Sequence, residues 1–180
     1  MNKFSPLVSA EPRKALEPPD THFLRAAEGW LGLGSLEDAE EEINHLSLQA
    51  RFHPRVLLVR WEISARHRQW ELAYALAQGL VVLAPNEPGG WVNRSISLHA
   101  MKRTPEAWFN LLPAAKKFPK NLVVAYNLAC YASQLGKFTE ANQWLKKAAE
   151  MDTENRVKWM ALKDPDLQPL WEYLGSSSQH

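Results

Sequence analysis

A single cysteine, Cys130, stands among the 180 residues, which excludes an intramolecular disulfide and a cysteine-rich zinc site. No apolar run approaches the roughly 20 residues that a membrane-spanning helix needs, so no membrane is expected as a partner. The N-terminus carries Lys3, Arg13 and Lys14. It has no apolar stretch of about 7–15 residues after its charges and does not read as a secretory signal. A cytoplasmic location is the resulting expectation. Net charge is only +1, which leaves no general field to gather nucleic acid. Sustained apolar/polar alternation, the mark of a half-buried strand, is also missing. The run Leu80-Val81-Val82-Leu83 continues the helical spacing of Ala73, Leu76 and Ala77.

What remains is helix. Pro6, Pro12, Pro18 and Pro19 interrupt residues 1–19, which read as a disordered arm, or as one that docks into the protein's own groove or recruits a second partner. From Thr21 onward, helical segments of about 12–15 residues lie between marks at Gly32-Gly34, Pro54, Pro85–Gly90, Pro119 and Gly136. A period underlies them. Ala39, Ala73, Ala107 and Ala141 are spaced 34 apart (73 − 39, 107 − 73, 141 − 107). Four residues after each come Ile43, Ala77, Leu111 and Leu145, and seven after come Leu46, Leu80, Ala114 and Ala148. These offsets share one helical face. Pro85 and Pro119 follow two of the alanines by 12, and Gly34 and Gly136 precede the first and last by five.

This register resembles the tetratricopeptide repeat. The fourth unit carries it best, with Asn127-Leu128-Ala129, Gly136, Ala141, Leu145 and Ala148; the first follows with Ala26-Ala27, Trp30, Gly34 and Ala39. The resemblance implies an all-α, right-handed superhelix of four helix-turn-helix repeats with a C-terminal capping helix. The boundaries are 20–53, 54–87, 88–121 and 122–155, then capping helices over 156–174 and a frayed tail over 175–180. One hairpin cannot bury its own apolar face, whereas stacked hairpins bury a continuous core. Departures fall in the middle units: Arg60 and Arg94 replace apolar residues, Trp61 a small one and Ser64 an aromatic. Pro113, inside the second helix of repeat three, should remove one backbone bond and kink that helix.

Helix starts agree with these boundaries. Ser35-Leu36-Glu37-Asp38 is close to a capping box. Thr104-Pro105-Glu106 and Asp164-Pro165-Asp166 each read as an N-cap followed by a first-turn proline. The acids Glu37, Asp38, Glu40, Glu41 and Glu42 crowd one helix start, where they suit the helix dipole or form an acidic docking patch. Leu167, Leu170, Trp171 and Leu174 make an apolar stripe for the cover over repeat four.

Catalysis has little to stand on. His45, His53, His67 and His99 pair with no second ligand at metal-site spacing, so no metal and no cofactor is expected. Cys130 has no catalytic signature around it. Gly89-Gly90 and Gly32-x-Gly34 lack the strand and lysine of a phosphate loop. Glu28 and Glu62 are 34 apart by repeat position, and a hydrolase built on them is the weakest reading. Trp30, Trp61, Trp91 and Trp108 fall on inter-helix faces, while Trp70 and Trp144 are less constrained. Arg51, His53, Arg55, Arg60, Arg66, His67 and Arg68 form a basic cluster without interleaved aromatics, which suits a solvated face or an acidic peptide better than nucleic acid.

In the tetratricopeptide arrangement, first helices line a concave face. The resemblance therefore implies a peptide-binding set of Leu58, Glu62, Arg66, Val92, Asn93, Ile96, Tyr126, Asn127 and Cys130. Asn93 and Asn127 match the family's ligand-facing asparagine, although an amide there can equally bond its own helix. No lysine lies on this face to clamp a terminal carboxylate. The expected function is a non-enzymatic scaffold or adaptor that binds a peptide or helix of a protein partner. The alternative is a secretion-type chaperone holding an apolar segment of an export substrate. Self-association is left open.

Overall fold

The computed structural model describes residues 15–154 and 156–177, with side chains as far as Tyr173. Most of the Pro-rich arm, the Leu174 side chain of the apolar stripe and residues 178–180 lie outside what is described, and residues 175–177, expected to fray, are helical. The described residues contain helices and no strand, as the all-α expectation requires. The chain divides into two compact units, Met1–His53 and Pro54–His180.

The first unit is one hairpin, α1 (Asp20–Leu33) and α2 (Leu36–Asn44), followed by a 3-10 turn, Ala50–Phe52. Leu24, Ala27 and Leu31 of α1 are buried, as are Ala39 and Ile43 of α2 and Leu46 after it, the last three at the spacing read from the sequence. Asp20 ties the hairpin's ends together: its carboxylate accepts from the Ser47 amide (2.8 Å) and hydroxyl (2.7 Å). Ser35 precedes α2, but its hydroxyl binds the Asp38 carboxylate and caps no backbone N–H. Arg51 donates from its guanidinium to the carbonyls of Asn44 and Leu46. Trp30 is 38% exposed and does not fill an inter-helix seam. Of the arm, residues 15–18 line a cavity of about 390 Å³ with Asp20, Ser47, Gln49, Ala50, Phe52 and His53.

The second unit holds three hairpins: α3 (Pro54–Arg66) with α4 (Trp70–Leu83), α5 (Pro88–Ala100) with α6 (Thr104–Lys117), and α7 (Leu122–Gln134) with α8 (Phe138–Glu150). After them come α9 (Arg156–Lys163), a 3-10 turn (Pro165–Leu167) and α10 (Gln168–Ser177). One core runs from Val92 through Leu111, Leu128 and Leu145 to Val157, Leu167 and Leu170. Trp108 lies inside it at 3% exposure.

The period is written in the backbone. Gly34, Arg68, Lys102 and Gly136, at successive intervals of 34, all have positive φ (85°, 58°, 63° and 71°). At each, the following amide reaches back to a helix carbonyl five residues earlier: Ser35 to Trp30, Gln69 to Ser64, Arg103 to Leu98 and Lys137 to Ala132. This is the closing bond of a left-handed helix stop. The alanine ladder follows five residues later, and Ala39, Ala73, Ala107 and Ala141 are all fully buried. A Cβ in place of a hydrogen at Gly90 would stand 2.8 Å from Leu80 Cβ and 2.9 Å from the Val81 amide nitrogen, so α5 approaches α4 at a distance only glycine permits.

Two of the departures in the middle units, Arg94 and Trp61, make polar bonds. Arg94 is buried, its two terminal nitrogens donating to Gln78 Oε1 (3.0 Å) and the Asn110 carbonyl (3.1 Å). Its Nε is buried with no hydrogen-bond partner, and desolvation lowers the guanidinium's pKa. Trp61 donates through Nε1 to Ser97 Oγ (3.0 Å), which donates to the Asn93 carbonyl (2.8 Å). Trp91 donates to the Pro85 carbonyl. α6 continues through Pro113. Thr104 begins that helix, but its hydroxyl is not the cap: Arg103 holds the cap position, and Thr104 Oγ1 bonds His99 Nδ1 at 2.9 Å.

Candidate functional site: the inner face of α3, α5 and α7

The first helices of the three hairpins place equivalent residues in rows 34 apart: Leu58, Val92 and Tyr126 in one, Glu62, Ile96 and Cys130 in the next. Exposure falls along each row. Leu58 is 38% exposed, Val92 and Tyr126 each 7%. Glu62 and Ile96 are half-buried, whereas Cys130 is buried at 4%. At Tyr126 and Cys130 the cause is the turn between α9 and α10, which lies on the α7 end of this face, whereas Val92 packs in the core. Tyr126 donates its hydroxyl to Asp164 Oδ2 (2.8 Å), and the Cys130 thiol donates to the same oxygen (3.5 Å). Gln134 Nε2 donates to the Asp166 carbonyl (2.9 Å). His99 Nε2 lies 3.0 Å from Asp166 Oδ2. Because a carboxylate only accepts, that nitrogen carries the hydrogen. Asp164 Oδ1 meanwhile accepts from the Asp166 amide (2.9 Å), as its place before Pro165 suggests. Trp171 Nε1 donates to the Ala161 carbonyl, and Leu167 and Leu170 are fully buried.

The electrostatics follow from that closure. Burial, and after it the hydrogen bond to Asp164, pushes the Tyr126 hydroxyl's pKa well up. Burial and the negative charges of Asp164 and Asp166 push the Cys130 thiol up as well, leaving a neutral donor with no nucleophilic character. The His99 hydrogen bond, aided by Lys102, holds Asp166 below the usual carboxylate range.

Solved structures share this architecture at low identity. TTC0263, a thermophilic TPR protein of Thermus thermophilus, superposes with a TM-score of 0.72 at 17% identity, covering 87% of this chain and 83% of that one. MamA of Desulfovibrio magneticus gives 0.67 at 16% identity over 92% and 96%. YrrB, a TPR protein with an unusual peptide-binding site, gives 0.64 at 14% over 81% and 75%. The chain has the tetratricopeptide-repeat fold. No protein-family model and no curated protein matches the sequence.

Within this repeat frame the expected site residues separate into two groups. Leu58, Glu62, Arg66, Asn93 and Ile96 lie on the α3 and α5 part of the face, where Arg66 and Glu62 form an ion pair at 2.5 Å. Tyr126 and Cys130 lie beneath the Asp164 turn. Val92 packs in the core, so its side chain is withdrawn from the face. Asn127 keeps both bonds within α7, donating to the Val123 carbonyl (2.8 Å) and accepting from the Tyr131 hydroxyl (3.3 Å). Sequence reasoning missed the turn's role here. Asp166 and His99 are 67 positions apart, and no local pattern joins them. Among the described residues, no group of histidine, cysteine or carboxylate side chains could hold a metal ion, and no helix is long and apolar enough to cross a membrane.

Proposed function

We propose that this protein is a non-catalytic interaction scaffold that binds an extended peptide or amphipathic helix of a partner protein. The segment would lie on the open part of the inner face, over α3, α5 and the first turn of α7. The observation that carries this reading is the exposure gradient. At two repeat positions, Leu58 and Ile96 remain at least partly accessible where their counterparts in α7, Tyr126 and Cys130, are covered. Val123, in the first turn of α7, is also exposed, at 48%. An apolar strip beside the Glu62–Arg66 ion pair suits a segment that alternates apolar anchors with charge. Glu62 is engaged by Arg66, which fits a binding surface better than a general base.

Site-specific photo-crosslinking tests this. A benzoyl-phenylalanine at position 58 or 96 should trap one partner segment, while the same group at the 69%-exposed Val82 should not. Equal capture at position 82, with none at 58 and 96, would move the site off this face.

A further inference from the structure

We propose that the inner face of α5 and α7 is a recognition site for an acidic turn, two carboxylates flanking one residue and followed by leucine, and that Asp164–Leu167 occupies it in cis. A partner segment with that chemistry would bind by displacing the protein's own turn. This site is separate from the open part of the face over α3 and stands whether or not that part binds a peptide.

Four observations support it. The donors come from the array itself: His99 from α5, and Tyr126, Cys130 and Gln134 from α7. All four converge on a single turn. Their targets are two side-chain carboxylates and one backbone carbonyl, the groups that an acidic turn of any chain presents. Leu167 supplies the apolar anchor and is fully buried. A cover at the end of a helical array has to shield the apolar face beneath it and present a polar face outward. A row of polar donors aimed at two aspartates adds sequence selectivity that a cover does not need, because a turn without those carboxylates leaves the donors unpaired.

The elements that carry the turn also present a surface outward. Trp159, Met160 and Leu162 of α9 are 65%, 51% and 59% exposed. α9 is therefore held to the array mainly by Val157, Ala161 and the turn that follows, and this is the arrangement expected of a segment that can exchange.

The test uses the full chain carrying Asp164→Asn and Asp166→Asn, which weakens the cis turn but leaves every donor of the site in place. The probe is a fluorescein-labelled peptide of this protein's residues 160–173, followed by anisotropy. Three bonds, from His99, Tyr126 and Cys130, lose their charge assistance in cis and keep it in the peptide, so the peptide should bind the variant roughly tenfold or more tightly than the wild type. A peptide with both aspartates changed to asparagine should show no such gain, and His99→Ala in the variant should abolish it. Equal affinity of the peptide for wild type and a natively melting variant would overturn the proposal, as would equal binding of the asparagine peptide. Should the variant fail to fold, hydrogen exchange on the wild type decides. Amides of 157–171 should open before those of α5–α8, and exchange of both segments as one unit would make the turn an inseparable part of the core.

Discussion

The four left-handed helix stops allow a substitution whose effect is confined to the backbone. Gly136 has φ 71°, and a Cβ built there meets nothing within 4 Å. Gly136→Ala therefore introduces no clash and reads the conformational cost alone. A non-glycine residue in this region costs about 1–2 kcal/mol, and the smaller entropy of the unfolded alanine chain returns about 0.4–1 kcal/mol. A net loss of about 1 kcal/mol follows. Arg68 and Lys102 already bear that cost, at φ 58° and 63°. Arg68→Gly and Lys102→Gly should therefore each stabilise by up to about 1 kcal/mol, less any contact the long side chains make. For a chain of this size each kcal/mol moves the melting temperature by about 2–4 °C. Thermal melts of the three single variants and the Arg68→Gly/Lys102→Gly pair provide the assay. The two stops lie in different hairpins, so their effects should add. A lower melting temperature for both glycine variants, or no change for Gly136→Ala, would refute the reasoning. The stops would then be set by side-chain contacts and not by the period of the backbone.

Three further outcomes are expected. Gly90→Ala should destabilise by about 1–3 kcal/mol in urea, because the new methyl meets the Leu80 and Val81 backbone region at under 3 Å. Arg94→Leu should leave stability unchanged or raise it by about 1 kcal/mol, since it removes a buried charge with an unpartnered Nε; a loss above about 2 kcal/mol would show that the bonds to Gln78 and Asn110 outweigh the desolvation. Asp166 has a folded-state pKa below its ordinary 3.8, so its contribution is complete above that value and disappears as pH falls through the lower one. The denaturation midpoints of wild type and Asp166→Asn should therefore differ near neutral pH and converge in strong acid, and a constant gap across that range would contradict the assignment.

Much of this architecture was legible because it is local and periodic. The alanines at 39, 73, 107 and 141 mark a closely packed position in each hairpin, and all four are fully buried. Ala27, Ser95 and Ala129 repeat the logic on the first helices, each at 0% exposure. The left-handed stops at Arg68 and Lys102 were not legible. Neither arginine nor lysine announces a positive φ, unlike the glycines at 34 and 136. Arg94 read as a misfit because its partners, Gln78 and Asn110, each lie 16 positions away. The same limit hid the closure of the inner face. The sequence indicated that Asp164 starts a helix and that Leu167 and Leu170 need cover. It could not indicate that the turn between them would meet His99, Tyr126 and Cys130. Those contacts move Tyr126 and Cys130 from an open face to a covered one and leave Leu58 and Ile96 as the accessible part.

The most direct test of the central claim is calorimetric titration of the segment trapped at position 58 against wild type and Leu58→Asp/Ile96→Asp, beside their thermal melts. Leu58 is 38% exposed, whereas Ile96 is half-buried and packs against the core, so the melts establish that the double variant folds before its affinity is compared. Placing two carboxylates where apolar anchors dock should weaken binding by roughly a hundredfold or more. Undiminished affinity in a natively melting double variant would contradict the assignment of the open inner face as the binding surface.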